Sequence, residues 1–479
     1  MNTLEDFNLV GREEEITIFE DTLNTKKPEL IAVYGRRRVG KTYLIRNYFK
    51  QYICFEFSGI INTEVDKQLY NFSQVLGKYI GKGIIHATPA HWQEAFVLLT
   101  QYLEKIRTKK KKVIFFDELP WLDTMHSGFL AAFDYFWNSW CTKRSDIIVV
   151  ICGSAASWMI NKIINNKGGL HNRITREIKL LPFTLTETEA FFKSKKIKLD
   201  QYQIAQLYMA MGGVPLYLDA VQPGKSAQQN IDTICFAAKG LLRNEFDKLY
   251  EALYSNAAVH ISIIRALATK QKGLLRSEVV KIAKQKSGGY LTAVLTELEE
   301  SGFISTYLPL DKKNKDKIYR LTDEYSLFYL KFIENSKSYK VGTWDTICRS
   351  QSYISWSGYA FENLCLKHIQ LIKKSLGIAA IYSEQSAWYS QKEKAQIDLV
   401  IMRADRCINL CEMKYSNIPF EITAKYAKEL QHKQMAYKSI GLANRKTIFT
   451  TLITTYGLKP NEHIVNNIDS VVLLKELFV

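Results

Sequence analysis

The sequence predicts a multidomain α/β protein, and three observations lead to that prediction. The chain has 479 residues, which is too long for one ordinary domain. Short apolar runs typical of buried strands end in a glycine-rich motif at 30–42 and in an acidic motif at 113–121. Helix-like segments follow, and a second set of apolar runs carries acidic residues near the C-terminus, at 396–402 and 408–416.

Composition narrows the class of protein and of partner. The net charge of +17 is spread over the whole chain and favours nucleic acid or another polyanion, although many lysine-rich proteins bind neither. The eight cysteines form no CxxC pair, which favours free thiols in a reducing cytoplasm. The acidic N-terminal stretch is unlike a signal peptide, and the longest apolar stretch, 147–160, is too short to span a bilayer. We therefore expect a soluble, cytoplasmic protein that does not bind membranes.

The segment LIAVYGRRRVGKT, residues 30–42, carries the strongest motif. Its spacing is that of the P-loop, G-x-x-x-x-G-K-[ST], and it lies between a strand-like and a helix-like segment. Backbone N–H groups of such a loop surround nucleotide phosphates, the lysine reaches the β- and γ-phosphates, and the threonine hydroxyl holds Mg²⁺. The expected ATP-binding residues are Gly35, Arg36, Arg37, Arg38, Val39, Gly40, Lys41 and Thr42.

Two further strand-like runs supply the rest of the predicted nucleotide site. VIFFDELPW, residues 113–121, places Asp117 to bind Mg²⁺ and Glu118 to polarise the attacking water. DIIVVICGS ends in Ser154, which either senses the γ-phosphate or caps the following helix. Both readings of Ser154 stay open at this point.

Six motifs appear in the order of a known family: FNLVGREEEI, YGRRRVGKT, FDELPWL, CGSAASWM, LHNRITREIKLLPF and MGGVPLYL. The chain resembles AAA+-related ATPases of archaea and bacteria that carry a C-terminal nuclease-like domain. The resemblance implies an ATPase core at 1–184, a helical lid at 185–250 and an arginine finger at Arg173, with Arg176 or a plain surface role for Arg173 as alternatives. A finger that acts on a neighbour's nucleotide implies a homo-oligomer.

Residues 251–335 are expected to form a winged helix-turn-helix. Three amphipathic segments precede two strand-like runs joined by a lysine-rich turn. The segment 288–301 would be the recognition helix, but it carries acidic residues and no Arg or Lys, so direct base readout is disfavoured. Either phosphate contacts from the turn or a protein-binding role fits this pattern. The lysines of the turn are Lys312, Lys313, Lys315 and Lys317.

Residues 340–479 resemble the PD-(D/E)xK core of α/β restriction-endonuclease-like domains. A predicted helix at 358–372 carries Glu362 near its start, one strand carries Asp398, and the next carries Glu412 and Lys414. The carboxylates could hold Mg²⁺ or Mn²⁺, and Lys414 could orient the attacking water. Glu412 and Lys414 could instead form a simple salt bridge, but that reading leaves Asp398 unexplained.

The leading hypothesis is an ATP-binding and ATP-hydrolysing protein that acts on DNA. ATP state would gate metal-dependent phosphodiester cleavage by the C-terminal domain, and family analogy suggests a role in defence or mobile elements. The alternative is a nucleotide-controlled switch or scaffold whose nuclease-like domain only binds nucleic acid or protein.

Overall fold

The computed structural model describes residues 9–81, 87–165, 172–308, 316–336, 340, 342–441 and 443–479. The chain divides into two compact units. The first consists mainly of the residues up to Pro182, together with the short segments 252–255 and 295–302. The second contains 183–251, 256–294 and 303–479. The division into four domains stays a prediction.

The first unit is built on a parallel five-stranded sheet of order β2-β3-β4-β1-β5. Its strands are β1 (Glu29–Tyr34), β2 (Ile53–Ser58), β3 (Lys112–Asp117), β4 (Ile147–Gly153) and β5 (Arg176–Lys179). Every residue of β1, β3 and β4 is buried, which explains the continuous apolar runs within these strands. The prediction of an α/β fold is confirmed for this unit.

Helices cover both faces of this sheet. They are α1 (Glu13–Asn24), α2 (Lys41–Tyr48), α3 (Val65–Ile80), α4 (Trp92–Lys105), α5 (Phe129–Ser139) and the short α6 (Ala156–Trp158). An aromatic core that includes Phe72, Trp92 and Phe116 fills one side, and a second core around Phe19 and Phe115 fills the other. The backbone at the strand ends is therefore held by packing on both sides.

The second unit begins with helices at the expected lid. These are α7 (Leu185–Ser194), α8 (Gln201–Met211), α9 (Pro215–Leu218), α10 (Ala227–Ile231) and α11 (Glu245–Glu251). Thr184 caps α7 through a capping box with Glu187. Gly213 lies against the backbone of Phe183, whose N–H donates to the Gly213 carbonyl at 2.6 Å.

Three helices and an antiparallel three-stranded sheet follow. The helices are α12 (Ala257–Ala268), α13 (Arg276–Ile282) and α14 (Gly289–Glu300). The sheet has the order β6-β8-β7 and consists of β6 (Leu274–Leu275), β7 (Ile304–Tyr307) and β8 (Ile318–Leu321). The predicted wing lysines Lys312, Lys313 and Lys315 lie outside the described residues, whereas Lys317 lies just before β8.

The C-terminal part is a mixed sheet of order β13-β12-β11-β10-β9. Its strands are β9 (Ser383–Ser390), β10 (Ala395–Arg403), β11 (Cys407–Lys414), β12 (Thr447–Thr454) and β13 (Ser470–Leu473). The helices of this part are α15 (Glu324–Phe328), α16 (Thr343–Ile347), α17 (Gln351–Lys367), α18 (Ile369–Ser375), α19 (Ala424–Ser439) and α20 (Glu462–Val465). Strands β9, β10 and β11 are antiparallel, while α19 connects β11 to its parallel neighbour β12.

Two findings refine the sequence expectations for this part. Ser350 caps α17, so the helix begins at Gln351 and Glu362 lies in its second half rather than near its start. In the described part of the chain, no helix is long and apolar enough to cross a membrane.

Gly213→Ala tests the close backbone contact in the lid. A Cβ at this position would lie 1.9 Å from the Phe183 carbonyl oxygen, so the backbone must shift. We expect the free energy of unfolding to fall by about 1 to 3 kcal/mol, measured by urea titration. Gly358→Ala is the matched control, because a Cβ there meets nothing within 4 Å and α17 gains a better helix former. Equal stability of the two variants would contradict the contact.

His368 makes the stability of the second unit depend on pH. Its Nδ1 donates to Leu364 and its Nε2 accepts from the Leu185 N–H, at 2.8 and 3.1 Å, so the ring is neutral. Burial lowers the pKa of His368 to about 4, below its ordinary value of 6.5. The unfolded chain therefore binds the extra proton first, and stability present above pH 6.5 is lost as the pH falls towards 4.

The free energy of unfolding of the wild type should fall between pH 7 and pH 5. We expect His368→Gln to make that fall smaller by about 2 kcal/mol. Urea titrations at both pH values measure it. His463→Gln, at a half-exposed histidine, serves as the control. An unchanged pH dependence in His368→Gln would show that this ring does not titrate as described.

Candidate functional sites

The P-loop joins the end of β1 to the start of α2. Gly35 and Gly40 have φ of 143° and 91°, values that favour glycine, and a Cβ on Gly35 would lie 2.3 Å from the Leu180 carbonyl oxygen. The Lys41 Nζ donates to the carbonyl oxygens of Gly35 and Arg36 at 2.9 and 3.0 Å. The lysine therefore lies under the loop that would surround the phosphates.

Thr42 and Asp117 lie together, although 75 residues separate them in sequence. The Thr42 hydroxyl donates to Asp117 Oδ2 at 3.0 Å. Burial, reinforced by the charge of Glu118, raises the pKa of Asp117 above its ordinary value. Burial also lowers the pKa of Lys41. A hydroxyl beside a desolvated carboxylate is a donor set that fits Mg²⁺, which would supply the missing positive charge.

Glu118 lies directly after β3 with a backbone φ of 47°. Its Oε1 accepts from the Ser154 hydroxyl at 2.6 Å and its Oε2 accepts from the Ser154 N–H at 3.2 Å. Ser154 is not a helix cap, because the N-cap residue of α6 is Ala155. The structure therefore assigns Ser154 a contact that neither sequence reading contained.

The remaining loop residues divide into two groups. Arg36 and Val39 are buried, whereas Arg37 and Arg38 are partly exposed. Arg12, which sequence reasoning missed, is buried and donates from Nη2 to the Val39 carbonyl at 3.1 Å. Arg12 belongs to the VGREEE motif, but the motif alone does not show that the partner of Arg12 is the Val39 carbonyl.

The two finger candidates lie before and at the start of β5. Arg173 is exposed, as an arginine that reaches a neighbouring subunit would have to be. Arg176 is half-buried at the first position of β5, and its Nη1 donates to the Thr175 carbonyl at 2.9 Å. The role of Arg173 stays a prediction.

A second candidate site lies in the C-terminal part. A cavity of about 500 Å³ is lined by all four predicted residues, Glu362, Asp398, Glu412 and Lys414. Glu429, His432 and Lys433 of α19 also line it. Helix α17 and strands β10 and β11 thus bring together residues that are up to 52 positions apart, from 362 to 414.

Asp398 lies at an irregularity in its strand. The pairing of β10 with β9 shifts register between Ile397 and Val400. The Asp398 Oδ2 accepts from the Met413 N–H at 3.0 Å. Because the side chain occupies this backbone donor, Asp398 is fixed beside the strand that carries Glu412.

Glu412 is 3% exposed and has two lysines near it. Its Oε2 lies 2.8 Å from the Lys433 Nζ and 3.8 Å from the Lys414 Nζ. The Lys414 ammonium also lies 4.9 Å from the centre of the Tyr426 ring. The expected salt bridge with Lys414 is thus the weaker contact, and the closer partner is Lys433, which sequence reasoning missed.

The electrostatics of this cavity are those of crowded acids. Burial, reinforced by the Asp398 charge, raises the pKa of Glu412 to about 7. The same two causes raise the pKa of Glu362 to about 7. Burial alone would lower the pKa of Lys433, but the Glu412 carboxylate outweighs it and that pKa is raised. The cavity therefore favours an added positive charge.

Glu362 is also held by Arg320 of β8. The Arg320 Nη2 lies 3.6 Å from Glu362 Oε2, and its Nε donates to the Tyr359 hydroxyl at 3.2 Å. Arg320 is 6% exposed, so its charge is desolvated together with that of Glu362. Nothing in the sequence indicates a role for Arg320 here, because it lies in a strand of the expected winged helix-turn-helix.

The acidic residues fit a divalent cation that is held by few protein ligands. Within the described residues, no three His, Cys, Asp or Glu side chains converge as a complete metal cage. Glu412 Oε1 is buried and has no hydrogen-bond partner in that part of the chain. Mg²⁺ commonly keeps several waters and binds one or two carboxylates plus substrate phosphate. Asp398 and Glu412 suit that mode.

The parallel sheet, the P-loop and the acids at the end of β3 define a P-loop ATPase domain. Residues 9–221 match the family described as an ATPase domain predominantly from Archaea. This match covers less than half of the chain, and it supports ATP binding and ATPase activity.

Two proteins of Methanocaldococcus jannaschii are similar in sequence. An uncharacterised protein is 25% identical over 437 residues, which cover 90% of this chain and 92% of the relative. An uncharacterised ATP-binding protein is 49% identical over 41 residues, 9% of this chain and 70% of the relative.

A comparison with solved structures matches a Walker-type ATPase of Pyrococcus abyssi. It has 21% identity and a TM-score of 0.48, and the match covers 68% of this chain and 97% of that one. The ORC2 protein of Aeropyrum pernix has 12% identity and a TM-score of 0.41, with coverage of 71% and 94%.

Glu118→Gln separates ATP hydrolysis from ATP binding. The amide keeps the size of the side chain and an acceptor for Ser154, but it cannot take a proton from water. We expect kcat for ATP hydrolysis to fall by on the order of 10² to 10⁴ while the Kd for ATP changes little. Phosphate release and fluorescent-nucleotide binding measure the two. Glu64→Gln, at an exposed glutamate, is the control, and wild-type turnover in Glu118→Gln would refute the role.

Proposed function

We propose that this ATPase is an ATP-controlled, metal-dependent phosphodiesterase that acts on nucleic acid, with DNA as the expected substrate. The observation that carries the proposal is the convergence of Asp398, Glu412 and Lys414 with Lys433 and Glu362 around one cavity of about 500 Å³. A salt bridge alone would not place five charged side chains from four elements around one open volume.

The chemistry of the donors supports hydrolysis of a phosphodiester. A divalent cation, Mg²⁺ or Mn²⁺, would supply Lewis-acid stabilisation of the phosphate when held by Asp398 and Glu412. Lys414 reaches the cavity with a side chain that is 29% exposed, so it can orient a water molecule from solvent. Lys433 favours the ionised form of Glu412, which is the form that binds a cation.

Nucleic acid is favoured as substrate by charge and by architecture. The net charge of +17 is that of a protein suited to a polyanion. The helices α12 to α14 and the sheet β6-β8-β7 follow in the order of a winged helix-turn-helix. The acidic residues of α14, including Glu297 and Glu300, favour contacts to phosphate from other elements over base readout by this helix.

Control by ATP is supported by contacts within the second unit. Tyr202 of α8 stacks on Tyr415, the residue after Lys414, with ring centres 5.3 Å apart and planes within 7°. Leu185 at the start of α7 donates to His368, which follows the helix that carries Glu362. The expected lid thus contacts Tyr415, which lines the acidic cavity, and His368, which follows the helix that carries Glu362, so lid movement would displace residues of the cavity. We also propose that Arg173 is an arginine finger that acts on the nucleotide of a neighbouring subunit, which requires a homo-oligomer.

A second candidate is a nucleotide-controlled switch that binds its partner without cleavage. One observation favours it: Lys433 already neutralises Glu412 at 2.8 Å. In this alternative, the ammonium takes the place of the metal and the fold serves only for binding.

Cleavage of plasmid and linear DNA with Mg²⁺ or Mn²⁺, with and without ATP, tests the proposal. We expect Asp398→Ala to abolish cleavage, because it removes a metal ligand, and to leave ATP hydrolysis intact. Lys41→Ala should abolish both ATP hydrolysis and the effect of ATP on cleavage.

The controls are Asp405→Ala and Lys50→Ala, which change exposed residues of the same types. Both should cleave DNA as the wild type does. If neither the wild type nor any variant cleaves DNA under any condition while ATP hydrolysis by the wild type is normal, the phosphodiesterase proposal is wrong and the nucleotide-controlled switch is favoured. Cleavage that persists in Asp398→Ala would place the active site elsewhere.

A further inference from the structure

A second cavity of about 450 Å³ adjoins the acidic one. Gln271 and Tyr359 line both cavities. The second cavity has lysines at 270, 272 and 331, and none of the described residues that line it is acidic. The net charge of the described lining therefore reverses across the shared wall, from four acids and three lysines around the acidic cavity to lysines as the only charged residues around the second.

Lys270 and Lys272 lie in the loop after α12, whereas Lys331 lies in the helical segment Tyr329–Ile333. Lys272 and Lys331 are exposed, and in the described part of the chain neither has a carboxylate within ion-pair distance. Lys272 Nζ lies 4.8 Å from the centre of the Tyr389 ring, a contact that positions the ammonium without neutralising it. Lys270 differs, because it pairs with Glu278 at 2.9 Å.

A nucleic-acid strand matches this reversal better than a single anion does. Its phosphates repeat along the chain, so one can lie at a metal held by Asp398 and Glu412 while neighbours contact lysines. An acidic peptide could satisfy the lysines, but its next carboxylates would meet the acidic cavity. The lysine cavity is therefore best matched by a ligand whose adjacent group binds metal.

We propose that the two cavities form one groove for the sugar–phosphate backbone of a nucleic-acid strand. Lys272 and Lys331 bind phosphates next to the one to be cleaved, and Gln271 lies at the junction. They are positioning residues, because they touch the substrate away from the reacting bond. This inference rests on the proposed function, but it makes its own prediction about binding.

Binding without cleavage provides the test. Fluorescence anisotropy with fluorescein-labelled single-stranded and duplex DNA, in EDTA, compares wild type with Lys272→Glu, Lys331→Glu and the double variant. We expect each single change to weaken binding by on the order of tenfold, as for a charge-assisted contact. The slope of log K against log salt should lessen by about 0.7 to 0.9 for each lost phosphate contact.

Two further sets of variants keep the test specific. Lys374→Glu changes the charge equally at an exposed lysine of α18 that lines neither cavity, and it should bind as the wild type does. Lys272→Arg and Lys331→Arg should keep most of the affinity. Normal ATP hydrolysis and circular dichroism spectra show that the variants are folded.

The outcomes separate this inference from the proposed function. If wild type cleaves DNA but the lysine variants bind like Lys374→Glu, the groove is refuted and the phosphodiesterase stands. If wild type never cleaves but binding depends on Lys272 and Lys331, the groove stands without cleavage. Inorganic phosphate that displaces labelled DNA as effectively as unlabelled DNA of equal phosphate content would refute a strand-binding groove and identify a free-anion site.

Discussion

Both candidate sites depend on carboxylates that apolar strands carry into places where water cannot solvate them. Asp117 ends β3 and Glu412 lies in β11, and both are almost fully buried. Burial raises the pKa of each, so the ionised form needs a cation close by. In the ATPase domain Lys41 is buried too, and its own pKa is lowered. Neither charge is stable by itself, and a nucleotide with its metal would satisfy both.

The backbone that holds these acids is irregular, and packing of the surrounding core offsets the free-energy cost of that irregularity. Glu118 has a left-handed backbone conformation, which costs on the order of 1 to 2 kcal/mol for a residue with a Cβ. Asp398 lies where the pairing of β10 with β9 shifts register. In both cases the side chain is then fixed by a specific donor, Ser154 or the N–H of Met413. Strain of this kind persists where packing overdetermines the local structure.

The sequence predicts features that depend on neighbours in the chain. The buried strands could be predicted because both of their faces are apolar, and the P-loop because its residues act from one short loop. Lys433 could not be predicted, since nothing in the helix pattern distinguishes it from Lys428 or Lys425. Its contact with Glu412 exists only because α19 crosses beside β10 and β11. Arg320 was missed for the same reason, since it reaches Glu362 from a separate sheet.

In the proposed mechanism, packing contacts from the lid and charged contacts from lysines act on the acidic cavity in different ways. The expected lid reaches the cavity through the stacked rings of Tyr202 and Tyr415, and it also contacts the neutral His368 after the helix that carries Glu362. A lid movement would therefore shift the positions of residues without moving charge. Lysines in the adjoining cavity would meet the substrate through charge alone. Salt screens the contacts between lysines and substrate and leaves the packing contacts of the lid nearly unchanged. Control by nucleotide should therefore survive at ionic strengths that already weaken substrate binding, because packing carries the signal and electrostatics carries the affinity.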